Sequence, residues 1–418
     1  VKIDLSSLNT YLQEGSFMFH LASKLALIKT SPTFAITKKV IEQKEKGVKI
    51  YGLGAGEPDF QTPDHIKQAG IEAIQKGLTK YTPVEGTQDL RKAIQAKFKK
   101  ENGLDYGLDE IIVSSGGKQV LFNAFMASLS EGDEVIIPAP YWVSYPDMVL
   151  LAGGKPVIVQ TTEANHFKLT ADQLKKALTK QTKWIILNSP SNPTGMIYTK
   201  SELEALLEVV RSHPSVMIMS DDIYEHLTYD DCEFLTAAQL APDLKDRILT
   251  MNGASKVFSM TGWRIGYAGG PKALIKAMVD VQGHSTSNPC SISQAACLAA
   301  LNGDMSFLVE WKKVYVRRRD LVCAYLNDIP GMKVIKPQGA FYIFASCAIA
   351  IGKKTPSGKV IQTDEDFATY LLDDYGVALV HGAAFGLSPY FRISYATSDD
   401  VLMDACEAIQ KAVAVLRV

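Results

Sequence analysis

Seven short runs of uninterrupted apolar residues constrain the fold of this chain more than any other feature. They are Ile111-Ile112-Val113, Glu134-Val135-Ile136-Ile137, Pro156-Val157-Ile158-Val159, Trp184-Ile185-Ile186-Leu187, Val216-Met217-Ile218-Met219, Ile248-Leu249-Thr250 and Ile265-Gly266-Tyr267-Ala268. A strand with one wet face alternates polar and apolar residues, whereas runs such as 184–187 offer water no face at all. Such strands must be covered on both sides, and the amphipathic stretches between them supply the covering helices. The pattern predicts an α/β fold with a mostly parallel central sheet. Polar residues gather just past the C-terminal ends of these runs, at 114–118, 141–142, 188–195, 221–222 and 252–256. Ligands in open α/β sheets bind at that edge.

The chain has 418 residues and is 47% hydrophobic, enough to bury two domain cores. After Gly303 the pattern changes to a long helical stretch through Trp311 to Tyr325. A smaller α+β region follows, with strands near Ala340 to Phe344, Val377 to Val380 and Phe391 to Ser394. The expected division is an N-terminal extension at 1–17, a segment at 18–50 belonging to the small domain, a large domain at 51–310, and the rest of the small domain at 311–418. The extension carries Asp4 and Glu14 and lacks the basic-then-apolar order of a signal peptide. Lys and Arg number 44 against 45 acidic residues, for a net charge of -1, which leaves no electrostatic footprint for nucleic acid or anionic membrane. Six scattered cysteines without C-x-x-C spacing suit reduced thiols in a cytoplasmic protein. No apolar stretch is long enough to span a bilayer. The chain lacks H-E-x-x-H and any compact His or Cys cluster, so no metal is expected.

Lys256 sits in Gly253-Ala254-Ser255-Lys256, directly after a strand-like run, and Arg264 and Gly266 follow closely. A lone Lys is usually a solvated surface group. A Lys that bonds a carbonyl compound needs a lowered pKa, room for a planar partner, and donors for any anion that partner carries. Ser255, Arg264 and Gly266 meet those needs. Ser114-Ser115-Gly116-Gly117-Lys118 runs from a strand into a helix-like stretch at 119–129, where free N–H groups and glycines make an anion site. It is not a nucleotide P-loop, because Ile112 stands at the first glycine position and Gln119 where a Ser or Thr should bind Mg²⁺. Pro138-Ala139-Pro140-Tyr141-Trp142 presents rigid aromatic faces that could either stack on a flat ring or simply pack. Asn188-Ser189-Pro190-Ser191-Asn192-Pro193-Thr194-Gly195 puts two amides in a proline-constrained loop at the same edge. Ser220-Asp221-Asp222-Ile223-Tyr224 ends an apolar strand with carboxylates. These suit a protonated ring nitrogen, a metal, or, for Asp222, a helix N-cap. Arg392 lies inside the apolar strand of Pro389-Tyr390-Phe391-Arg392-Ile393, where a planar fork can take a carboxylate in bidentate fashion or close a structural ion pair.

In this order and spacing the motifs resemble class I, fold type I aminotransferases from about residue 20 to the end. Leu53-Gly54-Ala55-Gly56-Glu57-Pro58-Asp59-Phe60, Tyr141-Trp142-Val143-Ser144-Tyr145-Pro146 and Met260-Thr261-Gly262-Trp263-Arg264-Ile265-Gly266-Tyr267 resemble in particular the gamma subgroup of bacterial aspartate aminotransferases, including members that accept prephenate. The resemblance implies pyridoxal phosphate as cofactor, carried on Lys256, with Asp221 at the pyridine nitrogen and Tyr224 and Asn192 at the ring oxygen. Trp142 would stack on the ring. Gly116, Gly117, Ser255 and Arg264 would hold the phosphate, together with Tyr81 from a second subunit, so the resemblance also implies a homodimer with shared sites. Arg392, Asn192 and Gly56 would take the substrate α-carboxylate. Lys118, helped by Lys29 and Thr33 of Lys29-Thr30-Ser31-Pro32-Thr33, would meet a distal carboxylate. That last run departs from the family's usual Lys-Pro-Ser-Ala-Thr at Thr30 and Pro32. The implied reaction is ping-pong transamination of aspartate and 2-oxoglutarate, with prephenate as a further acceptor. A lyase on the same fold would share Lys256, Asp221 and Arg392. A non-catalytic sensor would need an added binding domain that this sequence does not show.

Overall fold

The computed structural model describes residues 21–28, 32–45 and 47–418. Its centre is a seven-stranded sheet built from β2 (Ile111–Ser114), β3 (Glu134–Ala139), β4 (Lys155–Gln160), β5 (Thr182–Asn188), β6 (Met217–Asp221), β7 (Ile248–Gly253) and β8 (Gly266–Gly269), in the order β2-β8-β7-β6-β5-β3-β4. All neighbours run parallel except β8, which is antiparallel to both β2 and β7. The continuous apolar runs have the predicted cause. Trp184 and Ile186 feed one core with Val120, Leu121 and Phe125 of the helix Gly117–Ser128, while Ile185 and Leu187 feed another with Leu203, Leu206 and Leu207 of the helix Lys200–Arg211. Each such side chain taken out of water stabilises the fold by roughly 1.5–3 kcal/mol. Trp184 is fully buried and keeps its indole N–H satisfied by Ser128 Oγ at 2.9 Å.

Two smaller sheets complete the described chain. In one, β1 (Tyr51–Gly52) pairs in parallel with β10 (Val377–Ala378). In the other, β9 (Tyr342–Ser346), β11 (Val380–His381) and β12 (Tyr390–Ser394) are antiparallel with β12 in the middle, which sets Arg392 opposite Val380 and Phe344. The helices Phe307–Asn327, Asp364–Tyr375 and Asp399–Ala414 pack around these strands. Ile36 and Val40 of the helix Pro32–Glu45 pack against Ile50, Leu372 and Ala378.

Three details differ from the sequence reading. The strand expected at 216–219 runs on to Asp221, because its backbone keeps pairing with Asn188 and Met251 after the side chains turn polar. β1 was not expected, being two residues long and partly exposed. β8 reverses direction, which apolar content cannot reveal. Lys29 lies outside the described residues, and of Thr33 only its position in the helix Pro32–Glu45 is described. Among the described residues no single helix is long and apolar enough to cross a membrane.

Candidate active site

The C-terminal ends of β5, β6 and β7 open into a cleft of about 430 Å³ whose lining includes Lys118, Trp142, Asn192, Tyr224, Lys256 and Arg392. β7 ends at Gly253 and the chain makes a single helical turn, Ala254–Val257, that presents Lys256. Its Nζ donates to the carbonyl of Gly56. Burial lowers its pKa to about 8, and Arg392 and Arg264 push the same way against the pull of Glu57 and Asp221. The ammonium therefore gives up its proton far more readily than a free lysine, as a nucleophilic amine or proton carrier must.

Asp221, the last residue of β6, is buried below the same opening. Its Oδ2 accepts from Tyr145 Oη at 2.5 Å, and Asn188 Nδ2 donates to its carbonyl at 2.9 Å. Burial raises its pKa to about 6, even though Tyr145, the Ile223 N–H and Lys256 all favour the ion. A carboxylate this deeply buried is stabilised by a cationic partner. Asp222 does not cap a helix: the chain turns at Asp222–Leu227 instead, and its Oδ1 accepts from Ser220 Oγ at 2.8 Å. Burial pushes that carboxyl up to about 7.

Arg392 is 2% exposed and has no carboxylate partner among the described residues. Its Nη1 donates to Asn192 Oδ1 at 2.9 Å and its Nη2 to the Gly54 carbonyl at 2.6 Å, while its Nε is buried without a partner. The guanidinium lies 4.5 Å from the Tyr342 ring centroid and 5.0 Å from that of Phe385. A structural ion pair is thus ruled out among the described residues, leaving a buried cation suited to an incoming anion.

The sequence-predicted phosphate residues also converge. Gly116, at φ +95°, comes so close to Arg264 that any Cβ there would collide with its Nη2. The N–H groups of Gly117 and Lys118, at the start of the helix Gly117–Ser128, have no partner among the described residues. Ser255 lines the same cleft. Lys118 Nζ lies 4.9 Å over the Trp142 ring, its pKa lowered by burial and by Arg264. Gly56 lies against Lys256, as described. Tyr81 is not in the cleft of its own chain and is 91% exposed.

Sequence reasoning missed three cleft residues. Tyr145 stood in the motif that supplied Trp142, two apolar or small residues further on, and reads as packing until Asp221 is seen beside it. Tyr342 bonds Tyr224 Oη at 2.7 Å and supports Arg392, yet in an aromatic-rich strand it looks like core. Glu57, within the quoted Gly-Glu-Pro-Asp-Phe run, accepts from Thr261 Oγ1 at 2.9 Å.

A buried amine of lowered pKa, a buried carboxylate and an anion cradle at a parallel sheet edge define a fold type I enzyme. Residues 48–409 match the family described as "Aminotransferase class I and II", and the chain belongs to that family. It is 58% identical over 394 residues to a "Probable aspartate/prephenate aminotransferase" of Rhizobium leguminosarum bv. phaseoli, which covers 94% of this chain and 98% of that protein. Among solved structures, the aspartate aminotransferase of Rhizobium meliloti superposes with a TM-score of 0.93 at 54% identity, covering 96% of this chain and 100% of that one. The aspartate aminotransferase of Thermus thermophilus, solved with maleate, gives a TM-score of 0.88 at 42% identity, covering 94% and 100%.

Proposed function

We propose that this aminotransferase uses pyridoxal phosphate to move an amino group between dicarboxylic substrates, converting aspartate and 2-oxoglutarate to oxaloacetate and glutamate and, in addition, prephenate to arogenate. One observation carries the reading. Lys256 and the carboxylate-free Arg392 meet in a single cleft, so one amine and one α-carboxylate site face the same substrate. The names of the relatives support the choice of substrates, and maleate in the Thermus thermophilus structure is itself a dicarboxylate.

The residues present fit the cofactor. The glycine at 116, the free N–H groups of Gly117 and Lys118, Ser255 and Arg264 suit a phosphate. Asp221 suits a protonated ring nitrogen, Tyr224 and Asn192 the ring oxygen, and Trp142 the ring face. When bound, pyridoxal phosphate supplies an electron-withdrawing ring that stabilises the electron pair left on the substrate Cα. Lys256 would hold the cofactor and, once freed by substrate, take the Cα proton on Nζ and pass it to the cofactor carbon C4′, with the same transfer running backward in the second half-reaction. Arg392 and Asn192, with the Gly56 backbone, would seat the α-carboxylate and so orient the Cα–H bond toward Nζ. Lys118 would pair with the distal carboxylate, joined for the longer prephenate by Lys29 and Thr33. In this reading Tyr81 enters the phosphate site of a second copy, making a homodimer with shared sites. The same reading divides the chain into a large domain at 51–310 and a small one formed by 18–50 and 311–418, with 1–17 as an extension, and takes the enzyme to be cytoplasmic.

Borohydride reduction of the pyridoxal-phosphate-loaded protein followed by peptide mapping tests the centre of this proposal. A pyridoxyl group on Lys256 is expected, and labelling confined to other lysines refutes it. A donor and acceptor panel with purified protein tests the substrates; absence of prephenate turnover leaves a plain aspartate aminotransferase.

A further inference from the structure

The two site cations share a dependence that neither motif reveals. Lys256 Nζ donates to the carbonyl of Gly56, and Arg392 Nη2 donates to the carbonyl of Gly54, so both are oriented by one strap, Gly54–Glu57. The strap is held at each end. Before it, Leu53 accepts from Ser394 N at 2.8 Å and donates to Ala378 O at 2.8 Å, joining the small sheets. Beyond it, Ser259 Oγ donates to Phe60 O and Thr62 Oγ1 donates to Ser259 O at 2.7 Å, joining the segment that carries Lys256. Just past the strap, Asp59 and Phe60 rest on the helix Phe307–Asn327. Arg318 of that helix grips Asp59 with Nη1 to Oδ1 at 2.9 Å and Nη2 to Oδ2 at 2.9 Å. Phe60 stacks on Trp311 of the same helix at 4.5 Å and 5°. The Arg318 side chain is only 8% exposed, so its bidentate grip is better shielded than a surface ion pair.

We propose that Asp59 and Arg318 form a positioning pair: they fix the height of the Gly54–Glu57 strap, and through its carbonyls the plane of the Arg392 fork and the direction of Lys256. The inference rests on the reading of Arg392 as the α-carboxylate site. Every substrate presents the same α-carboxylate to Arg392, whatever its side chain. Loosening the strap therefore weakens all substrates by one common factor, in contrast to loss of Lys118, which touches only a distal group.

The test is Asp59→Asn, which removes the charge and keeps the volume. The control Asp399→Asn removes the other carboxylate that Arg318 holds, at 3.0 Å from Nε, without touching the strap. With the loaded enzyme, Asp59→Asn is expected to raise KM for aspartate and for 2-oxoglutarate together, by about ten-fold, with kcat changed less. In the cofactor-free protein, the pH dependence of Lys256 labelling by an amine reagent, read by mass spectrometry, is expected to shift relative to wild type. Asp59→Glu, which restores the charge, is expected to recover part of both effects, and Asp399→Asn to show neither. The proposal is overturned if Asp59→Asn lowers thermal stability while KM and the labelling profile stay put, if the two substrates respond unequally, or if Asp399→Asn reproduces the effect. Wild-type turnover and Lys256 pyridoxylation are unaffected by any of these outcomes, so failure here is distinct from failure of the functional reading.

Discussion

Replacing Asp221 with asparagine should stabilise the cofactor-free protein while weakening its hold on the cofactor. Burial lifts this carboxyl from 3.8 to about 6. At about 1.4 kcal/mol per unit, keeping it ionised above pH 6 costs the fold roughly 3 kcal/mol. The sign follows from proton binding: the folded chain holds a proton here that the unfolded chain has lost between pH 3.8 and about 6, so stability present at low pH disappears as pH rises through that window. Asparagine avoids the penalty but weakens the charge-assisted bond from Tyr145 Oη, a loss of about 1 kcal/mol. The variant should therefore be more stable by about 2 kcal/mol at pH 8, and most of that advantage should be gone at pH 5, where the penalty has fallen to roughly 1.5 kcal/mol. Urea unfolding of stripped protein at the two pH values, followed by tryptophan fluorescence, measures this directly. Repeating it with pyridoxal phosphate should reverse the order, because only the carboxylate gains a cationic partner, and breaking a buried pair typically costs about 3–5 kcal/mol. A stripped Asp221→Asn protein that is less stable at pH 8, or a difference that ignores pH, would refute the argument.

Three further outcomes follow from the geometry, and a fourth, for Lys29, from the sequence. Tyr145→Phe removes the hydroxyl that favours ionised Asp221, so the acid limb of pyridoxal phosphate binding should move up by about one pH unit or more; an unmoved limb removes Tyr145 from the site's electrostatics. Gly116→Ala sets a methyl against Arg264 at a backbone angle of +95°, so affinity for pyridoxal phosphate should fall far more than affinity for pyridoxal, and equal losses would mean that the cradle does not hold the phosphate. Lys118→Ala should lower kcat/KM for aspartate and prephenate alike by about ten- to a hundred-fold. Lys29→Ala should lower it for prephenate much more than for aspartate, and equal slowing of both substrates would reject a separate role for Lys29.

Much of this was legible in the chain, for a physical reason. A strand buried on both faces carries few polar residues until it leaves the core, so the polar clusters just after 184–187, 216–219 and 248–250 mark the ligand edge, and Asn188, Asp221 and Lys256 lie in those clusters. What stayed hidden depends on partners remote in sequence. The direction of β8 is set by pairing with β2 and β7, and no local pattern encodes it. Arg392 read equally well as an ion pair or a substrate site until its surroundings showed Asn192, Gly54 and two aromatic rings. Tyr145 and Tyr342 escaped notice because a tyrosine ring packs like any apolar group, and only the neighbour of its hydroxyl, Asp221 or Tyr224, gives it a chemical role.

The pairing of Tyr51 with Val377 sets an order of events during synthesis. At about 5–20 residues per second, tens of seconds separate the two residues on the ribosome. The large sheet can form in that interval, so Lys256 and Asp221 emerge beside an opening whose other wall does not yet exist. The strap segment has neither Ala378 nor Ser394 to hold it until almost the whole chain is made. A nascent chain of this topology thus presents Lys256 and an apolar rim to solvent before it can recognise a substrate, and a truncation of even the last few dozen residues would leave it in that state.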